Sequence, residues 1–184
     1  MDNNDILIRI RYALDIKNTD MIDIFKLGDM TYTKEEILRI LTKSPDSQYE
    51  DYEDRFFKDD TEKANDKKEA SEHIKCTHFM LESFLNGFII FKRGLQEPKP
   101  GETIKPVLAI KNHNNVNNVM LKKLKIALSL SSEDMLDIFE MAGLSVTKGE
   151  LGALFRKEGH KNYVQCLDKY ARNFLKGLAI KYRD

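Results

Sequence analysis

The chain has 184 residues, 41% hydrophobic and 33% charged, with 30 basic side chains balancing 30 acidic ones. That length suits one large domain or two small ones, and a body of this size buries about 70% of its extended-chain surface. No run approaches the length of a membrane span and the Met1-Asp2-Asn3-Asn4-Asp5 start lacks a basic flank, so the expectation is a cytoplasmic chain with neither span nor secretory leader. Two cysteines, Cys76 and Cys166, are too few for a disulfide framework or a four-thiolate metal centre. The charge is uneven: residues 1–73 carry 12 Lys+Arg against 19 Asp+Glu, and residues 74–184 carry 18 against 11. Such a division suits an acidic region beside a basic one, or two halves that attract each other, and does not support a nucleic-acid-binding surface running the length of the chain.

The first helix is expected to start near Asn3 or Asn4, with asparagine as N-cap, and to set Ile6, Leu7, Ile10, Ala13 and Leu14 on one face. A second helix carries Met21, Ile22, Ile24 and Phe25. The third begins at a capping box, Thr33-Lys34-Glu35-Glu36, flanked by Tyr32 and Ile37 as a hydrophobic staple. Residues 50–73 form a charged insertion with ten acids and five bases. A fourth helix runs about Phe79–Lys92, and its interior Gly87 points to a close helix–helix contact, because glycine there costs about 1 kcal/mol relative to alanine. Residues 94–115 hold Pro98, Pro100 and Pro106, three of the four prolines, and form a linker.

After the linker the pattern repeats. A shift of 114 residues aligns Asn3–Tyr49 with Asn117–Tyr163 without a gap. Asp20-Met21 and Asp23-Ile24-Phe25 match Asp134-Met135 and Asp137-Ile138-Phe139, and Thr33-Lys34 with Glu36 matches Thr147-Lys148 with Glu150. Past the insertion the shift is 90, where Cys76 meets Cys166 and Phe84-Leu85-Asn86-Gly87 meets Phe174-Leu175-Lys176-Gly177. Fixed offsets of this kind are the signature of duplication. The expected fold is therefore all-α: two tandem four-helix units related by a pseudo-two-fold, the first over 1–93, the second over 116–184, joined by the proline-containing linker 94–115.

The sequence resembles the bacterial YehS-like family, which is defined by a domain of unknown function in two tandem copies. The likeness rests on Asn4-Asp5-Ile6-Leu7, Arg11-Tyr12-Ala13-Leu14 and Phe84-Leu85-Asn86-Gly87 in the first unit. In the second it rests on Leu154-Phe155-Arg156-Lys157, Gly159-His160-Lys161-Asn162-Tyr163, Cys166 and Arg172-Asn173-Phe174-Leu175-Lys176-Gly177-Leu178. The resemblance covers nearly the whole chain and implies a two-unit helical protein of the bacterial cytosol. It implies no catalytic residues. The charged insertion is longer than the connection that the resemblance leads one to expect.

The densest set of chemically able side chains follows the third helix of the second unit: Arg156, Lys157, His160, Lys161, Asn162 and Tyr163. Three bases, an imidazole, an amide and a phenol suit a phosphate or carboxylate. The first-unit counterpart, Thr42–Tyr49, keeps one base and the tyrosine. The bland alternative is a basic loop that complements a helix C-terminus. Helices two and three of each unit also resemble helix-turn-helix corners, with a turn at Gly143-Leu144-Ser145, although Gly149, Gly152 and Ala153 are small for reading base edges. His73, Cys76 and His78 have metal-like spacing without a fourth ligand, and the acid pairs Asp20/Asp23 and Asp134/Asp137 are favoured at helix starts by the dipole alone. No metal site and no cofactor is assigned, and no phosphate-loop, dinucleotide, nucleophile-elbow or zinc-protease motif occurs. The sequence thus favours a binding or interaction module with an anionic or protein partner. A nucleic-acid-binding regulator ranks second and an enzyme third.

Overall fold

The computed structural model describes residues 1–44, 73–95, 97 and 108–183. Residues 50–72 of the charged insertion and half of the linker lie outside them. The described residues form eight α-helices and no strand. The first unit contains α1 (Asn3–Ala13), α2 (Asn18–Leu27), α3 (Lys34–Ile40) and α4 (His78–Arg93). The second contains α5 (Val116–Ala127), α6 (Ser132–Met141), α7 (Lys148–Leu154) and α8 (Asp168–Arg183), with a 3-10 turn at His113–Asn115 leading into α5.

Local chemistry sets the helix ends. Both expected capping boxes form: the Thr33 and Thr147 hydroxyls accept from the Glu36 and Glu150 amides at 3.2 Å, and each glutamate accepts from its threonine amide at 2.8 Å. The helix ends repeat as well. Asp15 and Ser129 take positive φ (48° and 53°) at equivalent places, as do Asp29 and Gly143 (64° and 81°). Behind them, Ile16 donates to the Arg11 carbonyl and Leu130 to that of Lys125, the long bond of a Schellman motif. The start of α1 departs from expectation. Asp2 is the N-cap, accepting from the Asp5 amide at 2.8 Å, while Asn3 and Asn4 lie inside the helix with buried side chains.

Within each unit the second helix packs on the fourth, α2 on α4 and α6 on α8. Glycine permits these crossings. A Cβ on Gly87 would stand 1.9 Å from the Ile24 carbonyl oxygen, and one on Gly177 would stand 1.9 Å from that of Ile138. Aromatic rings fill the same place above each crossing: Phe25 and Phe84 have centroids 5.2 Å apart, Phe139 and Phe174 5.3 Å.

The remaining helices pack across the units. The first helix of each lies on the last helix of the other, α1 on α8 and α4 on α5. Arg93 closes one seam by donating to the Ile126 carbonyl at 3.4 Å, and its counterpart Arg183 closes the other by donating to the Tyr12 carbonyl at 3.2 Å. One continuous core therefore runs through both units, from Ile6 and Phe25 to Phe174 and Leu178. Gly87→Ala and Gly177→Ala should each cost about 2–3 kcal/mol through overpacking against backbone. Urea unfolding of the two variants should report similar losses, since the crossings are equivalent.

Candidate functional site

A buried carboxamide builds the connection between the third and fourth helices. Asn118 donates through Nδ2 to the carbonyls of Leu154, at the end of α7, and Val164, both at 2.9 Å. Its Oδ1 accepts from the Cys166 amide at 2.9 Å. Asn4 makes the equivalent three bonds in the first unit, to the Ile40 and Ile74 carbonyls at 2.7 and 2.8 Å and from the Cys76 amide at 2.9 Å. Beside them, Asn3 and Asn117 donate to the Cys76 and Cys166 carbonyls, each at 3.0 Å. The two asparagine pairs stand at the 114-residue offset, so the signal was in the sequence; capping preference alone misassigns them, because their partners lie 36 to 73 residues away.

The six candidate residues lie on the loop that Asn118 anchors, between α7 and α8. The Lys157 carbonyl accepts from the His160 amide at 3.0 Å across a turn with Gly159 at φ 90°, a left-handed position that glycine fills without strain. A second turn follows, with the Tyr163 amide donating to the His160 carbonyl at 2.8 Å. The Asn162 amide donates to His160 Nδ1 at 3.1 Å, which leaves the proton of a neutral ring on Nε2. Arg156, Lys157, His160, Lys161 and Asn162 are all exposed. Tyr163 differs: it is half-buried, and its hydroxyl donates to Asn118 Oδ1 at 3.2 Å. Burial, then the neighbouring Glu158 and Cys166, pushes its phenol up from the ordinary value. The tyrosine holds the loop in place.

Glu158 holds the other side. Its carboxylate accepts from Asn115 Nδ2 at 3.2 Å and Asn112 Nδ2 at 3.5 Å, which ties the loop to the segment entering α5. Sequence reasoning passed over this glutamate because its partners lie before the unit to which it belongs.

The other candidates disperse. His73 meets the Thr42 carbonyl at 3.1 Å and His78 meets Asn3 at 3.0 Å, while Cys76 is buried. Among the described residues no group of three or more His, Cys, Asp or Glu side chains gathers to hold a metal ion. Asp134 accepts from the Ser131 amide at 2.8 Å as part of a capping box, and those bonds hold its carboxyl below the usual range. On α7, a Cβ at Gly152 would meet nothing within 4 Å, so the helix-turn-helix corner offers a bare face.

Fold and site together define a duplicated all-α protein whose α7–α8 loop is tied to α5 and to the segment that enters it. The model of the family described as "Protein of unknown function (DUF1456)" matches residues 3–60 and 117–184, and the chain belongs to that family. It is 34% identical over 181 residues to the "Uncharacterized protein YehS" of Escherichia coli (strain K12), covering 98% of this chain and 96% of that protein. No solved structure matches the chain. No described helix is long and apolar enough to cross a membrane.

Two outcomes follow from this geometry. Asn118→Ala removes three anchoring backbone bonds and should cost about 3 kcal/mol, with the buried amide and carbonyls left unsatisfied; Asn118→Asp, which keeps the acceptor and loses the donor, should remain destabilised in the same urea assay. Burial pushes both thiols up to about 12. A thiolate-selective reagent at about pH 8 should therefore label neither cysteine in the folded protein and both after unfolding.

Proposed function

We propose that this protein is a non-catalytic binding module whose second unit presents the α7–α8 loop to an anionic partner. The observation that carries this is the double lock on the loop. Asn115 holds Glu158 and Asn118 holds Tyr163, while Arg156, Lys157, His160 and Lys161 stay exposed. A loop held at both sides has less conformational entropy to lose on binding, so more of the charge-assisted attraction remains as affinity. The first unit's counterpart has Lys43 as its one base, which supports placing the role in the second unit. Residues 45–49 of that counterpart lie outside the described residues.

His160 is the loop's candidate base. Its Nδ1 accepts from a backbone amide, with no acid engaged there to orient it for proton transfer. A helix-turn-helix docking through α7 has less in its favour, because Gly149 and Gly152 supply no side chain to reach base edges.

Affinity capture from bacterial lysate tests the proposal with the full-length chain. The double variant Lys157→Ala, Lys161→Ala should keep the wild-type melting temperature, since both side chains are exposed, and should recover its partner at least about tenfold less well. Undiminished capture by the folded variant would remove the loop from the function.

A further inference from the structure

Glu158 reaches from the loop to a segment that also crosses the first unit. The amides of Ala109 and Ile110 donate to the Glu82 carboxylate of α4 at 2.6 and 2.8 Å. Farther along the same segment, His113 stacks on His78, with centroids 6.3 Å apart and planes 29° from parallel. His78 and Glu82 stand one helical turn apart on α4 and share one stripe of the helix. The 109–113 segment therefore follows that stripe. Phe79 lies beside it, less than a turn before Glu82, and is 53% exposed.

Glu158 joins the loop to this segment, and Glu82 and His78 join the segment to the first unit. Arg156, Lys157 and Lys161 supply charge on the loop side, and Lys111 supplies it on the segment. Phe79 and the exposed His113 supply flat rings. Glu158, the acid between them, has both carboxylate oxygens engaged by asparagine amides.

We infer that this surface binds a single-stranded stretch of nucleic acid, an inference that rests on the anionic-partner role of the α7–α8 loop. Cations alone would serve an acidic polypeptide. An exposed phenylalanine that follows His78 in the chain, together with the stacked imidazole pair, matches the faces of unpaired bases, which duplex stacking hides. The exposed amides of Asn114 and Asn162 add donors and acceptors suited to free base edges. The charge is local to this surface, which is compatible with a chain of zero net charge.

Fluorescence anisotropy on the full-length chain tests it with four labelled probes: a single-stranded RNA of about 12 nucleotides, the same sequence as single-stranded DNA, its duplex, and poly-L-glutamate. Either single strand should bind more tightly than the duplex. The slope of log affinity against log salt should be about −3, for roughly four cations each displacing about 0.7 counterion. Phe79→Ala and His113→Ala should each weaken single-strand binding by about tenfold with melting unchanged; Phe79→Ala decides the matter if losing the imidazole stack shifts the melt. Poly-L-glutamate bound as tightly as the strands, with both ring variants silent, would overturn the nucleic-acid inference and leave the anionic loop standing. Failure of all four probes to bind would overturn both.

Discussion

Each unit is organised around one carboxamide taken out of water. A buried amide is tolerated only when its donors and acceptor are all engaged, and Asn4 and Asn118 meet that demand with backbone from three separate places. The bonds fix where the third helix ends, how the following extended segment runs and where the fourth helix begins. That fourth helix must arrive with Gly87 or Gly177 against a carbonyl of the second helix, an approach with no room for a Cβ. The burial of both cysteines and the path of the basic loop follow from the same anchoring.

The two seams between units share geometry but not electrostatics. At the α4–α5 seam, Lys123 pairs with Glu82 at 3.2 Å and bonds Asn86, and Glu82 also receives two amides from the segment before α5. At the α1–α8 seam, Arg9 occupies the place of Lys123, and Arg172 that of Glu82. The neutralising acid has moved onto the cation's own helix, where Asp5 meets Arg9 at 3.0 Å. A buried ion pair is weak evidence of net stability, and its better-attested use is to fix register. Here the cross-unit pair sits on the seam that also docks the linker end, so register and linker path are set together.

Much of the fold was legible in the sequence because its signals are local. A threonine three residues before a glutamate specifies a capping box, and both copies formed. The constant offset between Gly87 and Gly177 similarly announced two matching crossings. Partner choice was not legible. The apolar stripe of α1 would be satisfied equally by α4 or α8, and sequence spacing does not say which unit supplies the cover. The candidate site was half legible for the same reason: exposed Lys157 and Lys161 follow from a polar run, whereas the anchoring roles of Tyr163 and Glu158 depend on asparagines 45 and 43 residues away.

The crossing of α1 onto α8 also bears on how the chain is made. A protein synthesised from its N-terminus presents Ile6, Leu7 and Ile10 early, yet α8, which packs on their helix, emerges only after the whole first unit and the linker. Contacts of such sequence separation form late, after the entropy of closing a long loop has been overcome. The nascent first unit must therefore wait with an uncovered apolar face, a period in which it is open to chaperones and to association with neighbouring nascent chains.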